Sequence, residues 1–95
     1  MSYAFIAQVS FEEGTDPAFA QKMLETEVVP LVQSQAGFLK GIWARNVDGK
    51  TGIGTAVFDT KANAEAAGQN IRVQPRPAEA PQIVSAGVYE IVAEA

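Results

Sequence analysis

The sequence predicts an α+β fold: a ferredoxin-like β-α-β-β-α-β sandwich with both helices on one face of an antiparallel sheet. Three observations carry this. Alternating apolar runs near both ends and in the middle of the chain mark strands. Asp48-Gly49, set between two of those runs, marks a hairpin. Two stretches that open on a capping residue, Asp16 and Thr60, lie between the strands and carry helix-forming sequence.

The first strand spans Tyr3 to Phe11. Tyr3, Phe5, Ala7, Val9 and Phe11 fall on one side, and Ala4, Ile6, Gln8 and Ser10 on the other. A polar turn, Glu12 to Thr15, follows. Asp16 then caps a helix with Pro17 at its first position. Ala20, Leu24, Val28, Leu31 and Val32 recur at helical spacing, with Phe19 and Met23 beside them. Pro30 removes a backbone donor late in this helix, so a kink or break is expected there. Gly37 ends the element.

Phe38 to Asn46 and Thr51 to Asp59 form the hairpin. A two-residue loop at Asp48-Gly49 fixes the register. Arg45 then faces Gly52, Trp43 faces Gly54, Gly41 faces Ala56 and Leu39 faces Phe58. Thr60 caps a second, Ala-rich helix that should fade between Gly68 and Ile71. Pro75, Pro77 and Pro81 predict an extended loop. Ile83 to Ala93 reads as the last strand. With no linker or internal repeat, residues 1–95 read as one domain.

Neither face of this sheet is polar enough for water. Tyr3, Phe5, Val9, Leu39, Trp43, Phe58 and Tyr89 fall on one parity, and Ile6, Phe38, Ile42, Ile53, Val57 and Val88 on the other. One face packs under the helices. The other predicts a homodimer, sheet against sheet.

Composition excludes several chemistries. The 95 residues contain no Cys and no His, which removes disulfides, thiolate nucleophiles, zinc sites of the usual kind and Ser-His-Asp devices within one chain. The net charge is -4 and the Lys and Arg residues are scattered, so nucleic acid is not an expected partner. No run approaches a membrane span and no secretory signal is visible, so a cytoplasmic protein is expected. Glu12, Glu13 and Asp16 form an acidic cluster whose spacing matches no metal loop; no metal is expected. Gly49-Lys50-Thr51-Gly52 lacks the spacing and context of a phosphate loop.

Glu27-Val28-Val29-Pro30-Leu31-Val32, followed by Gln35-Ala36-Gly37-Phe38-Leu39, resembles a passage of antibiotic biosynthesis monooxygenase-like proteins. Ala56-Val57-Phe58-Asp59-Thr60 ahead of an Ala-rich helix is similar to a second passage. The resemblance implies the dimeric α+β barrel superfamily, in which two sandwiches pair sheet to sheet. The superfamily includes cofactor-independent oxygenases of aromatic polyketides, haem-degrading oxygenases, isomerases, dehydratases and members with no known reaction. The resemblance therefore implies a small-molecule-handling protein, with oxygenation of an aromatic substrate without metal or flavin as one expectation. The matching residues shape turns and helix ends rather than chemistry. Haem-degrading members use a His that this chain lacks. Characterised oxygenases place a Trp and an Asn on the third strand, and Thr51 to Asp59 carries neither. No catalytic residue is carried over.

Trp43 is the sharpest site candidate. Among Gly41, Gly52 and Gly54 its ring has room to roof a flat ligand cavity between sheet and helices. The commoner role is cross-strand packing over Gly54 that fills the space itself. Arg45 shares that face and can anchor a carboxylate or phenolate at the rim, or simply end the strand in solvent. Tyr3 can orient a ligand through its hydroxyl, or pack; Tyr89 has the same two readings. Gln8 and Lys40, on the opposite face, can make polar contacts within a dimer, and Glu90 is a candidate partner for Lys40. The expected ligand is a small aromatic or apolar molecule. The expected function is its cofactor-independent oxygenation, the alternative a ligand-binding or structural dimer without catalysis.

Overall fold

A computed structural model of the chain describes residues 1–11, 16–74 and 80–95. Four strands form one sheet: β1 (Tyr3–Ser10), β2 (Phe38–Arg45), β3 (Thr51–Phe58) and β4 (Gln82–Glu90). Their order across the sheet is β2-β3-β1-β4, and every neighbouring pair is antiparallel. A helical arm joins β1 to β2. It consists of α1 (Pro17–Met23), a π-helical turn (Leu24–Val28) and α2 (Val29–Gln33). α3 (Lys61–Arg72) joins β3 to β4. Counting the arm as one helix gives the expected ferredoxin-like order. The Glu12-Glu13 turn and the loop around Pro75 and Pro77 lie outside the described residues.

Both caps form as the sequence requires. The Asp16 carboxylate accepts from the backbone N–H of Ala18 at 3.0 Å and of Phe19 at 3.3 Å. Thr60 Oγ1 accepts from the Asn63 N–H at 3.1 Å. These satisfy first-turn donors that have no partner within the helix. Pro30 does not break the arm. The helix widens just before it, where the Val29 N–H bonds to the Leu24 carbonyl five residues back. A π turn absorbs the irregularity, and the helix continues to Gln33. Gly37 then takes a φ of +79°, the left-handed conformation that turns the chain into β2.

α3 runs past Gly68 to Arg72, further than its composition suggests. Packing explains this. A Cβ at Gly68 would lie 2.7 Å from Cδ1 and Cε1 of Phe5, so the missing side chain lets the helix sit directly on that ring. Phe5, Val32, Ala56, Phe58, Ala64 and Ala67 form the core between sheet and helices, with Phe58 fully buried.

The hairpin register holds from Arg45, opposite Gly52, through Trp43, opposite Gly54, to Gly41, opposite Ala56. Beyond Lys40 it slips. Phe38, not Leu39, faces Phe58, and the two rings meet edge to face with centroids 6.0 Å apart. A bulge therefore turns Phe38 into the core and leaves Leu39 exposed. A second register shift, between Gln8 and Val9, brings Ile83 opposite Val9 and onto the helix-covered face. Strict alternation along β4 would put Ile83 on the same face as Tyr89, away from the helices.

The face away from the helices remains apolar. On it, Leu39 is 55%, Ile42 66% and Tyr89 56% exposed. After β4 the Ile91 N–H bonds to the Ser2 carbonyl at 3.0 Å. The chain then returns far enough for Glu94 to approach Lys40 at 3.7 Å. Glu90 is not the partner of Lys40, because β4 and β2 occupy opposite sheet edges. Among the described residues, no helix is long and apolar enough to cross a membrane.

Candidate functional site

On the helix-covered face, β2 and β3 carry three glycines, Gly41, Gly52 and Gly54, and two aromatic rings lie over them: Trp43 from β2 and Phe11 from just past the end of β1. Trp43 lies across two of the glycines. A Cβ at Gly54 would come 2.9 Å from Trp43 Cδ1 and 3.0 Å from Nε1. A Cβ at Gly41 would come 2.7 Å from Cη2 of the same indole. The pyrrole ring therefore rests on Gly54 and the benzene ring on Gly41, so the indole lies down along the sheet. Phe11 does the same at the next glycine, its Cε2 lying 2.9 Å from where a Gly52 Cβ would stand. Glycine in a strand gives up packing area, and here that area is taken by rings from adjacent positions.

The rings do not fill the layer. A cavity of about 390 Å³ remains between them and the helical arm. Phe5, Val9, Phe11 and Trp43 line its sheet side; Met23, Leu24 and Val28 line its helix side. Two of the arm's lining residues, Leu24 and Val28, bound the π turn. Such turns recur at functional sites because they change which side chains share a helix face. One face of the indole packs on glycine, and the side chain still walls a cavity.

Arg45 lines the same cavity and is exposed, which places it at the rim. Its guanidinium carbon stands 5.0 Å from the centroid of the Phe11 ring, a cation–π contact. Among the described lining residues it is the only one with a formal charge. The wall is otherwise apolar apart from Gln21 and Thr55. Gln21 donates from Nε2 to Glu25 Oε1 at 2.7 Å, along the outside of α1.

Tyr3 sits at the other end of β1, opposite Phe58, and packs against the core cluster rather than among the residues lining the cavity. Tyr89 is on the opposite face of the sheet, its ring beside Gly87. Asp16 is engaged as a helix cap, while Glu12 and Glu13 lie outside the described residues. Sequence reasoning placed Phe11 on the Trp43 face but did not single it out. Its partnership with Arg45 runs through Gly52, and so requires β1 to pair with β3, which no local signal announces.

The arrangement suits binding. It offers a flat aromatic wall, an apolar enclosure and one cation at the rim. Among the described lining residues it contains no carboxylate, so acid–base work would fall to the ligand itself.

No family model matches the sequence, and no curated protein matches it significantly. Solved structures do match. SnoaB, a cofactor-independent oxygenase from Streptomyces nogalater, superposes with a TM-score of 0.69 at 12% identity over 98% of this chain and 95% of that one. Rv0793 from Mycobacterium tuberculosis gives 0.67 at 16% identity, covering 100% and 99%. The monooxygenase ActVA-Orf6 of Streptomyces coelicolor, solved with the ligand Nanaomycin D, gives 0.63 at 14% identity, covering 99% and 90%. The chain has the fold of antibiotic biosynthesis monooxygenase-like proteins. At these identities the likeness is one of fold.

Proposed function

We propose that the chain binds a flat, largely aromatic molecule in the cavity over Trp43 and oxygenates it without a cofactor. The cavity carries this reading: about 390 Å³ of space walled by an indole that glycine holds flat, with Arg45 at the rim. The fold shared with SnoaB and ActVA-Orf6 supports the reaction class.

In such a reaction an electron-rich phenolate passes one electron to dioxygen. The radical pair combines to form a C–O bond, giving a ring-bound peroxide. Cleavage of the O–O bond with loss of the ring C–H proton leaves a quinone carbonyl and hydroxide. The chain's part is to bind the anion, exclude water and hold the pair together. Trp43 stacks on the ring, and Arg45 stabilises the negative oxygen. Tyr3, packed beyond the cavity wall, would act on a ligand only if that ligand reached past Phe5.

We infer that the working unit is a homodimer. Leu39, Ile42, Ile53 and Tyr89 are about half exposed, and burying the remainder of each is worth roughly half of the 1.5–3 kcal/mol that full burial of such a side chain brings. A second copy packed sheet to sheet covers them and leaves the cavity, on the helix side, accessible.

The test is oxygen uptake with a panel of naphthols and quinols. Uptake that yields a quinone, and that is lost in Trp43→Ala, supports the proposal. A second reading, a ligand-binding dimer without catalysis, is favoured by the absence of His and Cys from the whole chain. Binding of the panel without oxygen uptake would establish that reading instead.

A further inference from the structure

We propose that Phe11 is a positioning residue: it holds Arg45 over the mouth of the cavity and so makes the cavity select anionic aromatic ligands over their neutral isosteres. This rests on reading the cavity as a ligand site.

The inference begins with how Phe11 is seated. Its backbone N–H donates to the Lys50 carbonyl at 2.8 Å, which ties the end of β1 to the hairpin turn. Its ring lies on Gly52, close enough that any side chain at 52 would displace it. Gly52 is paired across the sheet with both Val9 and Arg45. The ring is thus fixed where the Arg45 side chain emerges, and the guanidinium rests 5.0 Å from its centroid.

An exposed arginine normally samples many rotamers, and ordering it for a ligand costs entropy. Contact with an aromatic ring limits that freedom before the ligand arrives. It does so without consuming donors. A ring contact leaves the guanidinium N–H groups available for two parallel bonds to a carboxylate, which a lysine cannot offer in that geometry. No carboxylate among the described residues forms an ion pair with Arg45.

The rest of the wall makes the charge selective. Among the described lining residues there is one cation and no anion. An anionic ring system gains the Arg45 contact as its apolar body enters. A neutral ring of the same shape gains only the apolar burial. A cationic one meets repulsion at the rim.

The probes are 2-naphthoate and its neutral isostere 2-naphthamide. The readout is the indole N–H resonance of Trp43, unambiguous because the chain has one tryptophan. Wild-type protein should bind naphthoate about tenfold more tightly than naphthamide, the scale of one charge-assisted contact. Arg45→Gln should abolish that preference. Phe11→Leu removes part of the wall that both probes touch, so both should weaken, but naphthoate about threefold to fivefold more than naphthamide, and Phe11→Tyr, which keeps the ring face, should restore that difference. In the free protein, the Arg45 side-chain N–H resonance should carry a ring-current shift that Phe11→Leu removes and Phe11→Tyr keeps.

Equal affinities for the two probes in wild type would overturn the selectivity. Loss of both probes to the same degree in Phe11→Leu would assign that ring a packing role only. If Phe11→Leu does not fold, the Phe11→Tyr comparison and the Arg45 ring-current shift in wild type decide the matter. A folded wild type in which neither probe moves the Trp43 resonance would instead remove the ligand-site reading itself.

Discussion

Gly68→Ala sets two effects against each other. In the interior of α3, alanine should be favoured over glycine by about 1 kcal/mol, because glycine loses more backbone freedom on helix formation. The structure opposes this. The new Cβ would stand 2.7 Å from Cδ1 and Cε1 of Phe5, where ordinary carbon contacts are about 3.5–4.0 Å. The ring must therefore retreat by roughly 0.8–1.3 Å. Phe5 is only 4% exposed and belongs to the core, with the Arg72 guanidinium carbon 5.6 Å from its centroid. Forcing a methyl group into such a site costs about 1–3 kcal/mol. The overlap wins, and the expected net loss is about 1 kcal/mol. With a urea slope of about 1–2 kcal/mol/M for a chain of this size, the midpoint falls by roughly 0.5–1 M. Protein concentration must be held fixed, because a dimer's stability depends on it. Phe5→Leu is the control: combined with Gly68→Ala, the second substitution should cost at least 1 kcal/mol less than it does alone. A midpoint that rises in Gly68→Ala would refute the reasoning, since helix propensity would then outweigh a contact that does not exist as described.

Other consequences follow from the same structure. Trp43→Ala should abolish 2-naphthoate binding, measured by calorimetry, while sedimentation shows an unchanged oligomeric state, because the indole lies on the face opposite the proposed interface. Ile53→Glu, which places a charge on the exposed apolar face, should turn a dimer into a monomer in analytical ultracentrifugation; a wild type that is already monomeric would sink the dimer. Asp16→Ala removes the cap on α1 and should lower stability by about 0.5–2 kcal/mol in urea titrations, with faster amide exchange at Ala18 and Phe19.

The sequence carried the hairpin well. Asp48-Gly49 marked the hairpin, and alternation placed Trp43 over Gly54 and Arg45 opposite Gly52. The loop is not two residues, however: the chain turns over 47–50, with the Gly49 N–H donating to the Asn46 carbonyl at 2.8 Å and Gly49 alone at positive φ. Asp16, Thr60 and Gly37 announced helix ends because capping and left-handed turns depend on local chemistry. What escaped is what depends on distant partners. Leu39 left the core face because Phe38 found Phe58 across a bulge. Ile83 changed sides for the same kind of reason. α3 outlasted its propensity because Gly68 met Phe5, a residue far away in sequence. The π turn lies directly ahead of Pro30, which has no backbone N–H to give, and a periodicity of 3.6 does not describe it. At the site, Trp43 and Arg45 were legible from one strand register. Phe11 needed a second register, and the helix-side wall needed the arm docked on the sheet.

The most direct measurement is a crystal structure of the purified protein with 2-naphthoate. The expected density is a flat ring system against the Trp43 face turned away from Gly54, beneath Leu24 and Val28, with its carboxylate at Arg45. A structure in which Trp43 and the helical arm close on each other, with no space and no ligand between them, would contradict the proposed site.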